Sequence, residues 1–234
     1  ICLFLIFILG FFLDFKIINN PFVRFILMIL VIISFIFYSG LTISPKNFPV
    51  IGKLMENRLF NLIFLLICIV LVINGSNFID GVNNNLNFYF FYFNLIIMLI
   101  KNTYQIDYSY NLIFFFFSII FFFFNHKNIL MLGDSGSYVI GFIIATEVIY
   151  LTNELEDISK YFAIIMVIYP CYEVLFSVIR KIITKINPLY PDKKHLHLIL
   201  IRKNNYNHFK TSFVLNLFNF IIFLLGLYFC KDDI

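Results

Sequence analysis

Residues 59–81 read LFNLIFLLICIVLVINGSNFIDG. From Leu59 to Ile73 the one polar side chain is Asn61, and no residue is charged. The segment that follows, Asn74-Gly-Ser-Asn-Phe-Ile-Asp-Gly81, brings small polar groups and a carboxylate. A backbone crossing hydrocarbon must satisfy its own hydrogen bonds, which makes such a run a helix. The stretch therefore reads as a membrane helix that ends on a polar cluster containing Asn77 and Asp80.

The pattern recurs along the chain. Apolar runs occupy 1–13, 22–39, 59–73, 86–100, 110–124, 137–151, 161–179 and 212–230. Of the 234 residues, 62% are hydrophobic and 13% charged, against about 45–50% and about 25% in an ordinary soluble domain. Mean hydropathy is +0.94. These values exclude a soluble globule, a disordered chain and a disulfide-stapled secreted module. The expected fold class is all-α, a polytopic integral membrane helix bundle of about eight spans forming a single domain over residues 1–234. An apolar run that begins at Ile1, with no basic segment before it, reads as the inside of a span and not as a signal peptide. The chain is thus expected to be N-terminally truncated. Cys2, Cys68, Cys171 and Cys230 lie in or beside apolar runs and form no C-x-x-C pair, so neither a disulfide framework nor a thiolate metal site is expected.

Successive spans reverse direction. Loops 14–21, 74–85, 125–136 and 180–211 therefore share one membrane face. Loops 40–58, 101–109 and 152–160 share the other with the tail at 231–234. The first face carries eleven Lys and Arg residues and the second six, with eight of the eleven in the stretch 180–211. The positive-inside rule puts the first face in the cytoplasm, makes 180–210 a cytoplasmic loop, and gives an inner-membrane protein with the bilayer as its partner. The net charge is +4. Its basic residues interleave with spans instead of forming a soluble basic face, which excludes nucleic acid as a partner.

The first face gathers Asp14, Asp80, Asp134, Asp192, His195 and His197. Asp80 and Asp134 stand in glycine-containing segments at span boundaries, the second being Gly133-Asp-Ser-Gly-Ser137. Glycine lets backbone N–H groups approach an anion, and a helix N-terminus favours phosphate. Carboxylates beside such cradles suit Mg2+, a hard cation that prefers oxygen ligands and keeps several waters. Lys193-Lys194-His195-Leu196-His197 adds positive charge for phosphates. Two acids lie inside apolar runs. Glu173 follows Pro170, and a bare carboxylate there costs roughly 2.5–3.5 kcal/mol, so it demands a partner or a wet cavity. Glu147, ten residues into its run, receives no role.

At these residues the chain resembles the polyprenyl-phosphate N-acetylhexosamine-1-phosphate transferases, which initiate lipid-linked glycans and are related to the phospho-N-acetylmuramoyl-pentapeptide transferase. Asn77-Phe-Ile-Asp-Gly81 is similar to the family's N-x-x-D-G segment, and Leu132-Gly-Asp-Ser-Gly-Ser137 to its G-D-S-G-S segment. Pro170-Cys-Tyr-Glu173 with Arg180 resembles a P-x-x-D…R helix, and Asn187-Pro-Leu-Tyr-Pro-Asp-Lys-Lys-His-Leu-His197 an S-P-x-x-P-D-x-x-H-x-H loop. The family's bundles have more spans than this chain supplies. There are departures. Where the family has an Asp-Asp pair, this chain has Asp14 alone: counted from Gly10 it matches the second acid, with Leu13 for the first, and counted back from Pro21 it matches the first, with Phe15 for the second. Asn83 stands for an acid, Asn84 for a glycine, Leu198 for a third histidine and Glu173 for an aspartate.

The resemblance implies attack by a polyprenyl (undecaprenyl) phosphate oxygen on the sugar-bearing phosphorus of a UDP-N-acetylhexosamine, giving polyprenyl-diphospho-sugar and UMP. It implies Mg2+, or Mn2+ in its place, on Asp134 and Asp80. Asp14 would deprotonate or orient the acceptor phosphate. His195 and His197 would bind donor phosphates, with Lys194, Asn77 and Arg180 assisting, and a homodimer is compatible. Two other readings compete: a transporter or channel using Glu173, Arg180 and Glu147 as an ion path, and a catalytically inactive relative serving as a scaffold. Transporter sites favour the bilayer midplane and internal repeats. Here the acids stand at span ends and no repeat is visible.

Overall fold

A computed structural model describes residues 1–44, 52–155, 158–188 and 194–228. In chain order its helices are α1 (Cys2–Asp14), α2 (Pro21–Ser39), α3 (Gly52–Met55), α4 (Arg58–Ile79), α5 (Asn85–Thr103), α6 (Ser109–His126), α7 (Gly133–Glu154), α8 (Lys160–Ile183), α9 (Leu196–Asn204) and α10 (His208–Tyr228). Among the described residues there is no β-strand. The chain is a multi-pass helical membrane protein. Every apolar run of the sequence becomes a helix, and α2, α4, α6, α7, α8 and α10 are long and apolar enough to cross a bilayer. The other two runs are α1, which has 13 residues, and α5, which has 19.

Side-chain chemistry sets the helix ends. Asn20 caps α2 by accepting from Phe22 N–H at 2.9 Å, and Pro21 takes the first helical position, where its missing N–H has no intrahelical role. Asn57 caps α4 through Leu59 and Phe60 N–H. The polar borders of two runs, expected to be loops, are helical. α4 continues past Ile73 to Ile79, and Gly133-Asp-Ser-Gly-Ser137 forms the first turn of α7. Small residues border the α4 extension. A Cβ at Gly75 would collide with the Pro170 carbonyl of α8, and one at Gly141 of α7 would lie 2.7 Å from Ile73 Cα. Close helix approach maximises packing where lipid offers no hydrophobic driving force between helices.

α4 sits at the centre, against α7 on one side and α8 on the other, while α1 and α2 flank this group at α7 and α4. Across the bundle α5 lies between α6 and α10. Several of its polar residues are buried and bonded. Asn85 Nδ2 donates to Ile79 O and Tyr169 Oη, Asn216 Nδ2 donates to Asn85, and Asn87 Nδ2 donates to Ser118 O. Lys101 Nζ pairs with Glu147 and donates to Asn111, which donates to Asn94. These contacts satisfy polar groups that would be costly against lipid. Pro170 inside α8 lacks the N–H that would bond Met166 O, and Tyr89 Oη donates to that carbonyl at 2.6 Å instead. Phenylalanines such as Phe116 and Phe123 on α6, Phe37 on α2 and Phe218 on α10 stay exposed, as expected for a lipid-facing surface.

Candidate active site

Asp134 lies in the first turn of α7. Its Oδ1 accepts from Asn77 Nδ2 in the last turn of α4, and Asn77 also donates to Ser137 Oγ at 3.1 Å. Arg24, one turn into α2, approaches Asp134 Oδ2 to 3.9 Å. The start of α7 is bound by Asp14, the last residue of α1. Its two oxygens accept Asp134 N–H at 2.8 Å and Ser135 N–H at 3.1 Å. Gly133 permits this with a φ of +64°, and a Cβ there would sit 2.7 Å from Asp14 Oδ1. The α7 N-terminus, expected to cradle a phosphate, thus holds a protein carboxylate. Negative charge at that end of the helix also suits its dipole.

Asp80 caps the end of α4. Burial first, and then the charges of Asp134 and Asp14, hold its carboxyl well above the usual carboxylate range. Asp80 thus feels the charges of Asp134 and Asp14, and the Arg24 guanidinium stands beside Asp134.

The third part comes from α8 and α9. Glu173 is 1% exposed, yet it sits in α8. Its Oε1 accepts Leu196 N–H at 3.0 Å and its Oε2 lies 3.1 Å from His195 Nδ1. Glu173 thus has the partner its place in an apolar run demanded. His197 is 1% exposed and packs against Gly81, and neither of its ring nitrogens has a hydrogen-bond partner among the described residues. Burial lowers its pKa from 6.5 to about 4 against the opposing pull of Glu173, with His195 and His208 adding to the drop. His197 is neutral at pH 7. Protonating it penalises only the folded state, so its contribution to stability is present above pH 6.5 and is lost as pH falls through about 4. Relative to His197→Gln, the wild-type chain is expected to lose on the order of 3 kcal/mol across that window. Thermal melts of both chains in detergent at stepped pH check this, and parallel curves would refute it.

A cavity of about 880 Å³ joins these pieces. Asn77, Asp134, His195 and His197 line one end with Arg24 and Lys181, and apolar side chains of α2, α4 and α8 line the rest, among them Phe25, Ile29, Leu66, Val70 and Val174. Among the expected site residues, Asp14 and Asp80 do not line it, and Asp14 holds the α7 turn that carries Asp134. Arg180 and Lys194 do not line the cavity: Arg180 Nη1 donates to Lys194 O at 2.8 Å, which ties α8 to the start of α9. Asp192 and Lys193 lie outside the described residues. Asn83 donates to Asn125 O and Asn128 and so holds the α6–α7 connection. Asn84 takes a φ of +61°, a conformation asparagine tolerates better than most residues, which accounts for its standing where glycine is usual. Arg24 and Lys181 were not singled out from the sequence, since a lone basic residue inside an apolar run, or one more lysine in a basic loop, carries no local signal. Neither Glu173 nor Glu147 lines the cavity, because each is paired elsewhere, and an ion path through them has no support.

The pattern described as glycosyl transferase family 4 matches residues 1–152. The chain belongs to that family. This family 4 chain is also 34% identical over 99 residues to an undecaprenyl-phosphate alpha-N-acetylglucosaminyl 1-phosphate transferase of Thermotoga maritima. The match covers 42% of this chain and 32% of the relative, so it spans about a third of that curated protein. The family match takes in Asp14, Asn77, Asp80 and Asp134. The α9 histidines lie beyond it, and their place in the site rests on the packing of His197 against Gly81 and of His195 against Phe78, ring centroids 4.8 Å apart.

Proposed function

We propose that this family 4 protein transfers an N-acetylhexosamine-1-phosphate from a UDP-sugar to a polyprenyl phosphate, at the cytoplasmic face of the inner membrane. The carrying observation is the continuity of the cavity. Its lining joins cations, imidazoles and the Asp134 carboxylate to an apolar slot among membrane helices. An amphipathic lipid phosphate fits such a space, with its head at Arg24 and its chain along α2, α4 and α8. The soluble nucleotide enters from the polar end.

An acceptor phosphate oxygen forms a bond to the sugar-bearing phosphorus while the bond from that phosphorus to the UMP oxygen breaks, and UMP leaves. Phosphoryl transfer asks for positioning and charge neutralisation more than covalent help. Arg24 and Lys181 supply fixed positive charge. His195, and His197 as a neutral ring, offer hydrogen bonds to donor phosphates. Asn77 fixes the Asp134 carboxylate, and Asp14 fixes the α7 turn that carries it.

Among the described residues no three His, Cys, Asp or Glu side chains surround a common point, yet the donor set fits Mg2+. That ion takes one or two carboxylates plus waters and substrate phosphates, and the burial and neighbouring carboxylates that raise the Asp80 pKa are a burden a divalent cation would lighten. Asp134 and Asp80 would hold it, and it would supply charge neutralisation on the diphosphate. The test incubates membranes bearing the full-length protein with radiolabelled UDP-N-acetylglucosamine or other UDP-N-acetylhexosamines, polyprenyl phosphate and Mg2+. Label in the organic phase with UMP released supports the reading. No label with any donor, in membranes where a known transferase works, overturns it.

A further inference from the structure

Glu173 is a buried carboxylate outside the Asp14, Asp80 and Asp134 group. Both of its oxygens face the short stretch that turns into α9: Leu196 N–H at 3.0 Å and His195 Nδ1 at 3.1 Å. The His195 ring is clamped further, with Phe78 at a centroid distance of 4.8 Å and His197 at 5.7 Å, the two imidazole planes only 7° apart. The carboxylate already accepts from Leu196 N–H, and its second oxygen accepts likewise when the His195 nitrogen facing it carries the proton.

We propose that Glu173 is a positioning residue for the transfer: it fixes His195 in the form protonated at Nδ1 and directs the Nε2 edge of that ring to the phosphates in the cavity. The inference rests on the transferase reading. Three features set the geometry together. Glu173 is anchored in α8, whose closeness to α4 is enforced at Gly75 and Pro170. The same carboxylate binds the first N–H of α9, so ring and helix cannot rotate independently. The parallel stack then sets His197 relative to His195. Removing the group that orients a metal-ligating histidine through its second nitrogen costs about 10–100-fold in affinity or activity, and an effect of that order is expected here.

Glu173→Gln is the diagnostic change. Its amide oxygen keeps the Leu196 N–H bond while its NH2 turns to Nδ1, which must then accept, moving the ring proton to Nε2. In the full chain, labelled with 15N-histidine in nanodiscs at about pH 8.5, above the ordinary imidazole range, wild-type His195 is expected in the Nδ1–H form and the Gln variant in the Nε2–H form. Turnover is expected to fall about 10–100-fold, chiefly through KM for the UDP-sugar. Glu173→Asp, which keeps the acceptor chemistry, restores Nδ1–H and most of the activity, and it carries the same readout if the Gln variant fails to fold. An unchanged tautomer in Glu173→Gln, wild-type kinetics despite a changed one, or an Asp variant as impaired as the Gln variant overturns the inference. A wild-type chain that turns over no UDP-sugar defeats the transferase reading instead, and the tautomer measurement then still decides whether Glu173 sets the ring.

Discussion

Asp134→Asn is expected to abolish Mg2+-dependent UMP release from membranes bearing the full-length protein, a fall of at least about 10³, or on the order of 4 kcal/mol of transition-state stabilisation. The structure makes this substitution specific. Asp14 binds α7 through the backbone N–H groups of residues 134 and 135, so the asparagine variant keeps that cap. Asn77 can still donate to the side-chain oxygen at position 134. What disappears is the negative charge, and with it the attraction of Arg24 at 3.9 Å and the carboxylate end of the cavity. The melting temperature in detergent is accordingly expected to stay within a few degrees of wild type. Turnover like that of the wild type would remove Asp134 from the mechanism.

Asp80→Asn is expected to produce two opposite changes: loss of turnover and a higher melting temperature in EDTA. The sign follows from the raised pKa of Asp80. In the unfolded chain an aspartate ionises near 3.9. The fold resists that ionisation, so the stability associated with Asp80 is present below the ordinary carboxylate range and is lost as pH rises through its higher folded pKa. Asparagine has nothing to ionise. The difference between variant and wild type is therefore expected to be absent near pH 4 and to grow toward neutrality. Mg2+ is expected to close the gap by stabilising the wild type alone. A melting temperature that falls, or a difference independent of pH, would mean that burial and the neighbouring charges do not burden Asp80 as the structure indicates.

Much of the architecture was legible because lipid leaves so few choices. A run such as 59–73 can only be helix, and the alternation of spans already placed Asp14, Asp80, Asp134 and the two histidines on one face, where the structure brings them together. Other features depend on contacts that no local pattern encodes. Along the helical extension from Asn74 to Ile79, Gly75 meets Pro170, 95 positions away in the chain. α5 can bury asparagines because they are bonded to α6, α8 and α10. The part Asp14 plays could not be told from its neighbours in the chain. An acid at a span end reads equally as catalyst, solvated residue or cap, and only the φ of Gly133 and the N–H groups beyond it identify the cap. Arg24 was hidden for the same reason.

The glycine contacts of α4 have a mechanical consequence. Helices in bilayers of unequal thickness answer hydrophobic mismatch by tilting. Gly75 and Gly141 leave α4, α7 and α8 no side-chain layer through which to slide past one another near these points, so the three tilt as one body and the separation of Asn77 from Asp134 survives.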